Sequence, residues 1–384
     1  MTFQVSQTEG MQLRCNFLEK AKRVVVKVGS AVLTGKDGLN QEVVDGLVRQ
    51  LAALRQQGRE VILVSSGAVA AGMRKLQLTR QAVDIKEKQA VAAVGQSNLM
   101  RLYEDIFDRY EQKVAQILLT RDDLANRDRY LNVRNTIFTL LDWGIIPIIN
   151  ENDTVSVEEL RFGDNDTLGA MITNLIEADI FVCLTDVEGL FTGNPSVDSS
   201  AEKVQTVARV NRRVEEMAGN VLSALGTGGM QSKIKAAKMV ATGGGCSFIG
   251  PGRQVDVLDR LFGGEQIGTF FLPRPEKMQS RKHWIAYTLK PKGELVLDEG
   301  ACRALLKGGK SLLPSGIIEI RGRFRVGAPV HCLDENGEPI ASGLVNYNSA
   351  DIDKVKGVQT NRIEDILGFK DSDEIIHRDN LVVL

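Results

Sequence analysis

Residues 23–272 alternate between short aliphatic runs and stretches of helical periodicity, and this alternation constrains the fold most strongly. Buried parallel strands are near-continuous aliphatic runs, whereas helices repeat apolar residues every three or four positions. The predicted strands are 24–28, 61–64, 114–119, 145–149, 180–184 and 247–249. Helical periodicity separates most of them, as at 41–57 and 132–143. The chain is therefore predicted to be an α/β protein, a three-layer sandwich with a mainly parallel sheet and helices on both faces.

A polar stretch at 273–282, which contains Pro273 and Pro275, is typical of a linker, which we predict to extend over 273–290. Shorter strands are predicted beyond it, and Asp-Glu-Asn-Gly at 334–337 predicts a hairpin turn. These shorter strands lie at 294–297, 316–320, 328–332 and 340–344. We therefore predict five segments: an N-terminal extension at 1–22, the α/β domain at 23–272, the linker at 273–290, a small β-rich domain at 291–370 and a C-terminal tail at 371–384.

Composition and charge argue against several classes of protein. The net charge of -1 gives no global attraction to nucleic acid or anionic membranes. No apolar run reaches the length of about 20 residues that a spanning helix needs, and the first residues lack the features of a secretory signal. The five cysteines are scattered without a Cys-x-x-Cys pair, which predicts reduced thiols and a cytoplasmic location, without a zinc site.

Polar or small residues follow the predicted strands where each strand ends. Lys27 precedes Gly29-Ser30, and burial of a lysine without a partner would be expensive. A phosphate-binding role is therefore favoured over an edge-strand lysine that faces solvent. Ser65-Ser66-Gly67-Ala68 is either an anion cradle at a helix N-terminus or only a helix cap. Thr185-Asp186 is either an Asx turn or part of a nucleotide site.

Two acidic and amide quartets are close in sequence, Asn150-Glu151-Asn152-Asp153 and Gly163-Asp164-Asn165-Asp166. A surface loop is the alternative for the first, and a helix cap at Asp166 or Thr167 is the alternative for the second. The glycine-rich stretch 226–233 ends in Lys233 before a predicted helix, and its backbone N–H groups can wrap phosphates although it lacks the Walker A pattern. Two lysines around acidic and amide groups predict phosphoryl transfer to a small anionic acceptor.

Taken in order, these motifs resemble the amino acid kinase family, and the C-terminal segment is similar to the PUA domain. The resemblance implies the amino acid kinase fold and ATP-dependent phosphorylation of the L-glutamate side-chain carboxylate, the first step of proline biosynthesis. Such a carboxylate has an ordinary pKa of about 4.3, so no general base is needed. Two features depart from the family pattern, the N-terminal extension and Ser65, where threonine is common.

The resemblance also implies roles for individual residues. Lys27, Lys233 and Asp166 would be catalytic, and Mg²⁺ would bridge the β- and γ-phosphates of ATP without a dedicated protein metal site. The implied ATP-binding residues are Lys27, Gly29, Ser30, Thr185, Asp186, Thr227, Gly228, Gly229, Met230, Gln231, Ser232 and Lys233. The implied glutamate-binding residues are Ser66, Gly67, Asn150, Asp153, Asp164 and Asn165, with Asp153 facing the ammonium group. A homo-oligomer with proline as feedback ligand is also implied.

Two alternatives stay open. A related kinase could act on another carboxylate, a carbamate or a phosphate; a phosphate acceptor would call for several arginines, and residues 150–166 contain only Arg161. The second alternative is RNA binding by the C-terminal segment. Residues 281–384 contain 15 Lys and Arg against 15 Asp and Glu, so a solvated strand face is favoured over a basic stripe at Arg321, Arg323 and Arg325.

Overall fold

The computed structural model describes residues 6–35, 38–78, 84–155, 165–195, 197–219, 229–278 and 280–384. The chain divides into two compact units, Met1–Lys277 and Met278–Leu384. Each unit has its own hydrophobic core. The division falls within 273–290, and we retain the five predicted segments as a proposal.

The first unit is an α/β unit. Its described helices are α1 (Gln7–Lys20), α2 (Ser30–Leu33), α3 (Gln41–Gln56), α4 (Ala68–Lys75), α5 (Ile85–Arg109), α6 (Arg121–Ala125), α7 (Arg127–Asp142), α8 (Asn165–Leu175), α9 (Arg212–Met217), α10 (Met230–Thr242) and α11 (Val257–Phe262). Its described strands are β1 (Arg23–Val28), β2 (Thr34–Gly35), β3 (Gly38–Leu39), β4 (Glu60–Val64), β5 (Val114–Leu119), β6 (Ile146–Glu151), β7 (Ile180–Thr185), β8 (Thr206–Val207), β9 (Cys246–Pro251) and β10 (Thr269–Phe271).

An eight-stranded sheet in the order β5-β6-β4-β1-β7-β9-β10-β8 forms the centre of this unit. The first six strands in this order, from β5 through β9, are parallel to one another, and β10 is antiparallel to β9. Strand β1 lies in the middle of the sheet, and the side chains on both of its faces are buried. Val24, Val26 and Val28 pack into one core with α3, α5 and α11, while Lys27 faces α8 on the other side. This arrangement confirms the predicted α/β fold and its mainly parallel sheet.

The first 22 residues, predicted as an extension, include helix α1, which lies against the end of the sheet. Arg14 is 1% exposed, and its guanidinium carbon lies 5.8 Å and 5.7 Å from the ring centres of Phe248 and Phe270. Burial lowers the Arg14 pKa to about 10. Helix α1 is therefore a packed part of the first unit.

The second unit contains α12 (Ser280–Tyr287), β11 (Gly293–Leu297), α13 (Glu299–Gly308), β12 (Ile317–Arg321), β13 (Pro329–Leu333), β14 (Pro339–Leu344), α14 (Ser349–Val355), α15 (Ile363–Leu367) and β15 (Leu381–Val383). These strands form a sheet in the order β12-β11-β13-β14-β15. The predicted hairpin joins β13 to β14: the Gly337 amide donates to the Asp334 carbonyl at 3.0 Å, and Gly337 has φ +82°. Strand β15 pairs with β14 from within the range 371–384 that was predicted as a tail.

Arg321, Arg323 and Arg325 do not form a basic stripe on one strand face, the alternative that the sequence disfavoured. Strand β12 ends at Arg321, so Arg323 and Arg325 follow the strand. Arg321 itself pairs with Glu319 at 3.0 Å and lies 3.8 Å from Glu294. Two carboxylates therefore offset its charge. In the part of the chain that the structure describes, no helix is both long and apolar enough to span a membrane.

Candidate functional site

The sheet order places the polar motifs of the sequence side by side. Strands β6, β4, β1 and β7 are consecutive neighbours and run in the same direction. Their carboxyl ends therefore share one edge of the sheet, which is where ligands bind in such folds. Asn150, Ser65, Lys27 and Thr185 lie on or directly after these ends.

A buried ion cluster lies at the end of β1. Lys27 Nζ is 2.5 Å from Asp166 Oδ1, and Lys233 Nζ is 3.1 Å from Asp166 Oδ2. The aspartate is 0% exposed and each lysine is 6% exposed. The three predicted catalytic residues, from β1, α8 and α10, are therefore in direct contact. With both lysines charged, the cluster has a formal charge of +1.

Close packing of α8 on the sheet makes these contacts possible. Asp166 lies in the first turn of α8, where the helix dipole favours a carboxylate. One turn later, a β-carbon built on Gly169 would lie 2.5 Å from Phe181 Cε2 and 3.4 Å from Lys27 Cβ. Only glycine allows this approach, so Gly169 brings Asp166 within reach of Lys27.

The environment of Asp166 keeps it ionised. Burial alone would raise the pKa of its carboxyl group, but the Lys27 and Lys233 ammonium groups, together with hydrogen bonds from Lys27 and Ser232, hold the pKa well below its usual range. The Ser232 hydroxyl lies 2.8 Å from Asp166 Oδ2 and 2.8 Å from the Gly229 carbonyl. The Cys183 thiol donates to Asp166 Oδ1 at 3.3 Å. Burial, and then the Asp166 charge, raise the Cys183 pKa to about 12.

Beside the ion cluster lies a group of amide and hydroxyl side chains, which we call the amide cradle: Ser66, Asn150 and Asn165. The Asn165 amide nitrogen lies 2.9 Å from Ser66 Oγ, 3.0 Å from Asn150 Oδ1 and 2.7 Å from the Ser65 carbonyl. Gly67 follows and caps the N-terminus of α4; its φ of +96° is a left-handed conformation that glycine adopts without strain. Three of the predicted glutamate-binding residues are therefore in contact.

The ion cluster and the amide cradle are joined at consecutive residues. Asn165 belongs to the cradle, and Asp166 belongs to the ion cluster. The backbone at Asn165 and Asp166 therefore connects the cradle directly to the ion cluster. Asp153 lies two residues beyond β6 and is half-buried.

The remaining predicted residues lie at the same edge or outside the described residues. Gly29 is adjacent to the Lys27 ammonium group and donates its backbone N–H to the Leu184 carbonyl at 3.1 Å. Ser30 begins α2, and Gly229 caps α10, whose first residues are Met230 and Gln231. Thr185 is buried, and its hydroxyl donates to exposed Asp186 at 3.0 Å. Thr227, Gly228 and Asp164 lie outside the described residues.

The sequence did not predict three side chains that contact the site residues or their neighbours. Cys183 is the β7 residue paired with Lys27, so strand register brings its thiol to Asp166. Gln96 accepts from the Asn150 amide at 2.8 Å, and the Tyr103 hydroxyl lies 2.9 Å from Ser65 Oγ. The sequence did contain a signal for Gln96: it is a polar residue on the same face of α5 as the buried residues Leu99 and Tyr103.

Comparison with known proteins identifies the family. Residues 22–249 match the model of the amino acid kinase family, and residues 293–367 match that of the PUA domain. A protein named glutamate 5-kinase from Desulfotalea psychrophila is 59% identical over 375 residues, which cover 97% of this chain and 100% of that protein. Another of that name from Citrifermentans bemidjiense is 52% identical over 373 residues, with coverage of 97% and 100%.

A solved structure has the same fold. Carbamate kinase from Giardia lamblia bound to AMP-PNP superposes with a TM-score of 0.50 at 16% identity, covering 67% of this chain and 100% of that chain. This likeness concerns the fold alone. The matches to family models and to full-length relatives confirm the resemblance seen in the sequence, and the chain belongs to the amino acid kinase family, with a PUA domain in its second unit.

Proposed function

We propose that this protein is a glutamate 5-kinase, which transfers the γ-phosphoryl group of ATP to the side-chain carboxylate of L-glutamate. The proposal depends on one observation: the ion cluster of Lys27, Asp166 and Lys233 adjoins the amide cradle through Asn165 and Asp166. The relatives named glutamate 5-kinase, which align over their whole length, support the choice of acceptor. The product, a glutamyl 5-phosphate, would enter proline biosynthesis.

The main barrier to this reaction is repulsion between an anionic acceptor and a polyanionic donor. Because the glutamate carboxylate is already ionised at neutral pH, no group has to remove a proton. The Lys27 and Lys233 ammonium groups would lower the electrostatic energy of the transferring phosphoryl group. Asp166 holds the two ammonium groups at 2.5 and 3.1 Å, ready for charge that spreads over the phosphoryl oxygens.

The acceptor half consists of the amide cradle with Gly67, Asp153 and Asp164. Uncharged amide and hydroxyl groups can bind the glutamate carboxylates without the tight ion pair that an arginine would form. Asp153 is proposed as the partner of the ammonium group. The donor half consists of Gly29, Ser30, Thr185, Asp186 and the residues from Thr227 to Lys233, which would surround the nucleotide.

As a kinase that uses ATP, the protein requires a divalent cation, which we propose to be Mg²⁺. Both Asp166 oxygens are already engaged by ammonium, hydroxyl or thiol groups. An ion bound with ATP would therefore be held chiefly by phosphate oxygens and water. Its role would be to neutralise phosphate charge.

We also propose a cytoplasmic homo-oligomer with proline as feedback ligand. All five cysteines are unpaired, which agrees with a reducing compartment. Nucleic acid is not proposed as a partner, since the balanced charge of the C-terminal segment gives little attraction to phosphates.

A hydroxylamine trap tests the reaction. Purified protein with ATP, Mg²⁺ and hydroxylamine should form a γ-glutamyl hydroxamate from L-glutamate, and Asp166→Asn should abolish it. Aspartate, N-acetylglutamate and carbamate serve as competing acceptors. Preference for one of these over L-glutamate would show that the protein is a different member of the family.

A further inference from the structure

Helix α5 contributes two polar side chains to the residues around the amide cradle. Gln96 Oε1 accepts from Asn150 Nδ2 at 2.8 Å. Seven residues later, the buried Tyr103 hydroxyl lies 2.9 Å from the buried hydroxyl of Ser65. Residues seven apart lie on the same face of a helix, so α5 contacts the cradle at Asn150 and, two turns along, contacts Ser65 beside the cradle.

The direction of the hydrogen bond between Asn150 and Gln96 is fixed by one backbone group. The Glu151 N–H can only donate, and it donates to Asn150 Oδ1 at 2.9 Å. The Asn150 oxygen therefore faces Glu151 and Asn165, and its NH₂ group faces Gln96. Gln96 must consequently present its oxygen to Asn150, because two NH₂ groups cannot bond to each other.

Burial makes this bond consequential. Asn150 is 3% exposed, and a buried amide that loses its partner incurs the full cost of desolvation. Without the Gln96 oxygen, the buried Asn150 NH₂ group would lose its acceptor, and rotation of the amide would not supply another. Rotation would turn its NH₂ group toward the Asn165 amide and the Glu151 N–H, both of which are donors.

We propose that Gln96 is a positioning residue for the acceptor half of the site. Its carbonyl accepts from the Asn150 NH₂ group and so stabilises the orientation in which Asn150 accepts from Glu151 and Asn165, and Asn165 in turn contacts the Ser66 hydroxyl. This inference rests on the proposed function insofar as L-glutamate is the acceptor. It assigns to α5 a part in acceptor recognition that none of the sequence motifs indicates.

Kinetics of Gln96→Met test the proposal, since methionine retains the length of the side chain but offers no comparable acceptor. The KM for L-glutamate should rise about fivefold to tenfold, as for one lost hydrogen bond in a buried site. The KM for ATP should change less than about twofold, because Gln96 contacts only the acceptor half. Gln56→Met is the matched control: Gln56 is an exposed glutamine that ends α3, before the amino end of β4, and both KM values should be unchanged.

A double-mutant cycle separates positioning from general loss of structure. Asn150→Ala removes the group that Gln96 orients, so adding Gln96→Met to it should change the glutamate KM by less than about twofold. Independent, multiplicative effects would overturn the proposal, as would a glutamate KM in Gln96→Met within about twofold of the wild type.

The same cycle on the midpoint of thermal unfolding tests the hydrogen bond without any substrate. Each single variant should lower the midpoint by about 2–4 °C, and the double variant should lower it by less than the sum. Additive shifts would refute the bond itself. Absence of glutamate turnover in the wild type, with coupling intact, would refute the proposed acceptor instead.

Discussion

Gly169→Ala is a sharp test of how the ion cluster is held together. The added β-carbon would lie 2.5 Å from Phe181 Cε2, 3.0 Å from Phe181 Cζ and 3.4 Å from Lys27 Cβ. Carbon atoms in contact are about 3.5–4.0 Å apart, so helix α8 and strand β7 must separate by about 1 Å. The Phe181 ring is 1% exposed, so it is packed within the core.

This separation should affect the rate more than the stability. Asp166 lies one turn before Gly169 on α8, so its carboxylate moves with the helix away from Lys27. A displacement of about 1 Å at reacting groups can lower a rate by about 100-fold. Overpacking costs about 1–3 kcal/mol, and the higher helix propensity of alanine offsets about 1 kcal/mol of this. We expect kcat to fall about 10- to 100-fold, with a net loss of stability below about 2 kcal/mol.

Initial rates of hydroxamate formation and urea unfolding measure both quantities. Gly46→Ala is the control, because Gly46 also lies within a helix but its β-carbon would meet only the Val255 carbonyl, at 3.9 Å. This variant should retain kcat and be equally stable or more stable by up to about 1 kcal/mol. Adding Phe181→Leu to Gly169→Ala should restore part of kcat. A Gly169→Ala protein with the wild-type kcat would refute the reasoning.

Four further predictions follow from the site and the division of the chain. Lys27→Met and Lys233→Met should each lower kcat far more than they raise the glutamate KM, because both groups act on charge that develops during transfer; a near-normal kcat in steady-state assays would remove that lysine from the mechanism. Asn165→Ala should raise the glutamate KM while ATP affinity, measured by calorimetry, stays nearly constant; loss of ATP affinity would contradict the separation into two halves. Since the folded-state pKa of Asp166 is depressed, its contribution to the free energy of unfolding is present above the ordinary value of about 3.9 and is lost as pH falls through the lower folded-state pKa. Urea titrations at several pH values should show that Asp166→Asn lacks this acid-dependent loss of stability. The same dependence of the free energy of unfolding on pH in both proteins would contradict this expectation. A chain ending at Lys277 retains the whole described site and the core of the first unit, so it should form hydroxamate at a rate comparable with that of the full-length chain. A truncated protein that folds but is inactive would place an essential residue in the second unit.

Local patterns in the sequence predicted the strands and most of the chemical groups. The run before Lys27 is aliphatic because both faces of β1 are covered, and such runs can be recognised without knowing what covers them. The rule that ligands meet parallel sheets at the carboxyl ends of strands then placed Asn150 and Thr185 at a common edge. Because the PUA domain and the α/β domain differ in strand length and turn content, the sequence also indicated two folded regions.

Only the tertiary structure decided which groups touch. Cys183 meets Asp166 because β7 pairs with β1 in one register, and Gln96 meets Asn150 across 54 residues of sequence. Helix α1 and strand β15 pack into their units although nothing in their local sequence predicted it. The physical reason is that periodicity reports which side of an element is buried, whereas contacts between elements depend on strand order and on packing distances such as the one that Gly169 permits.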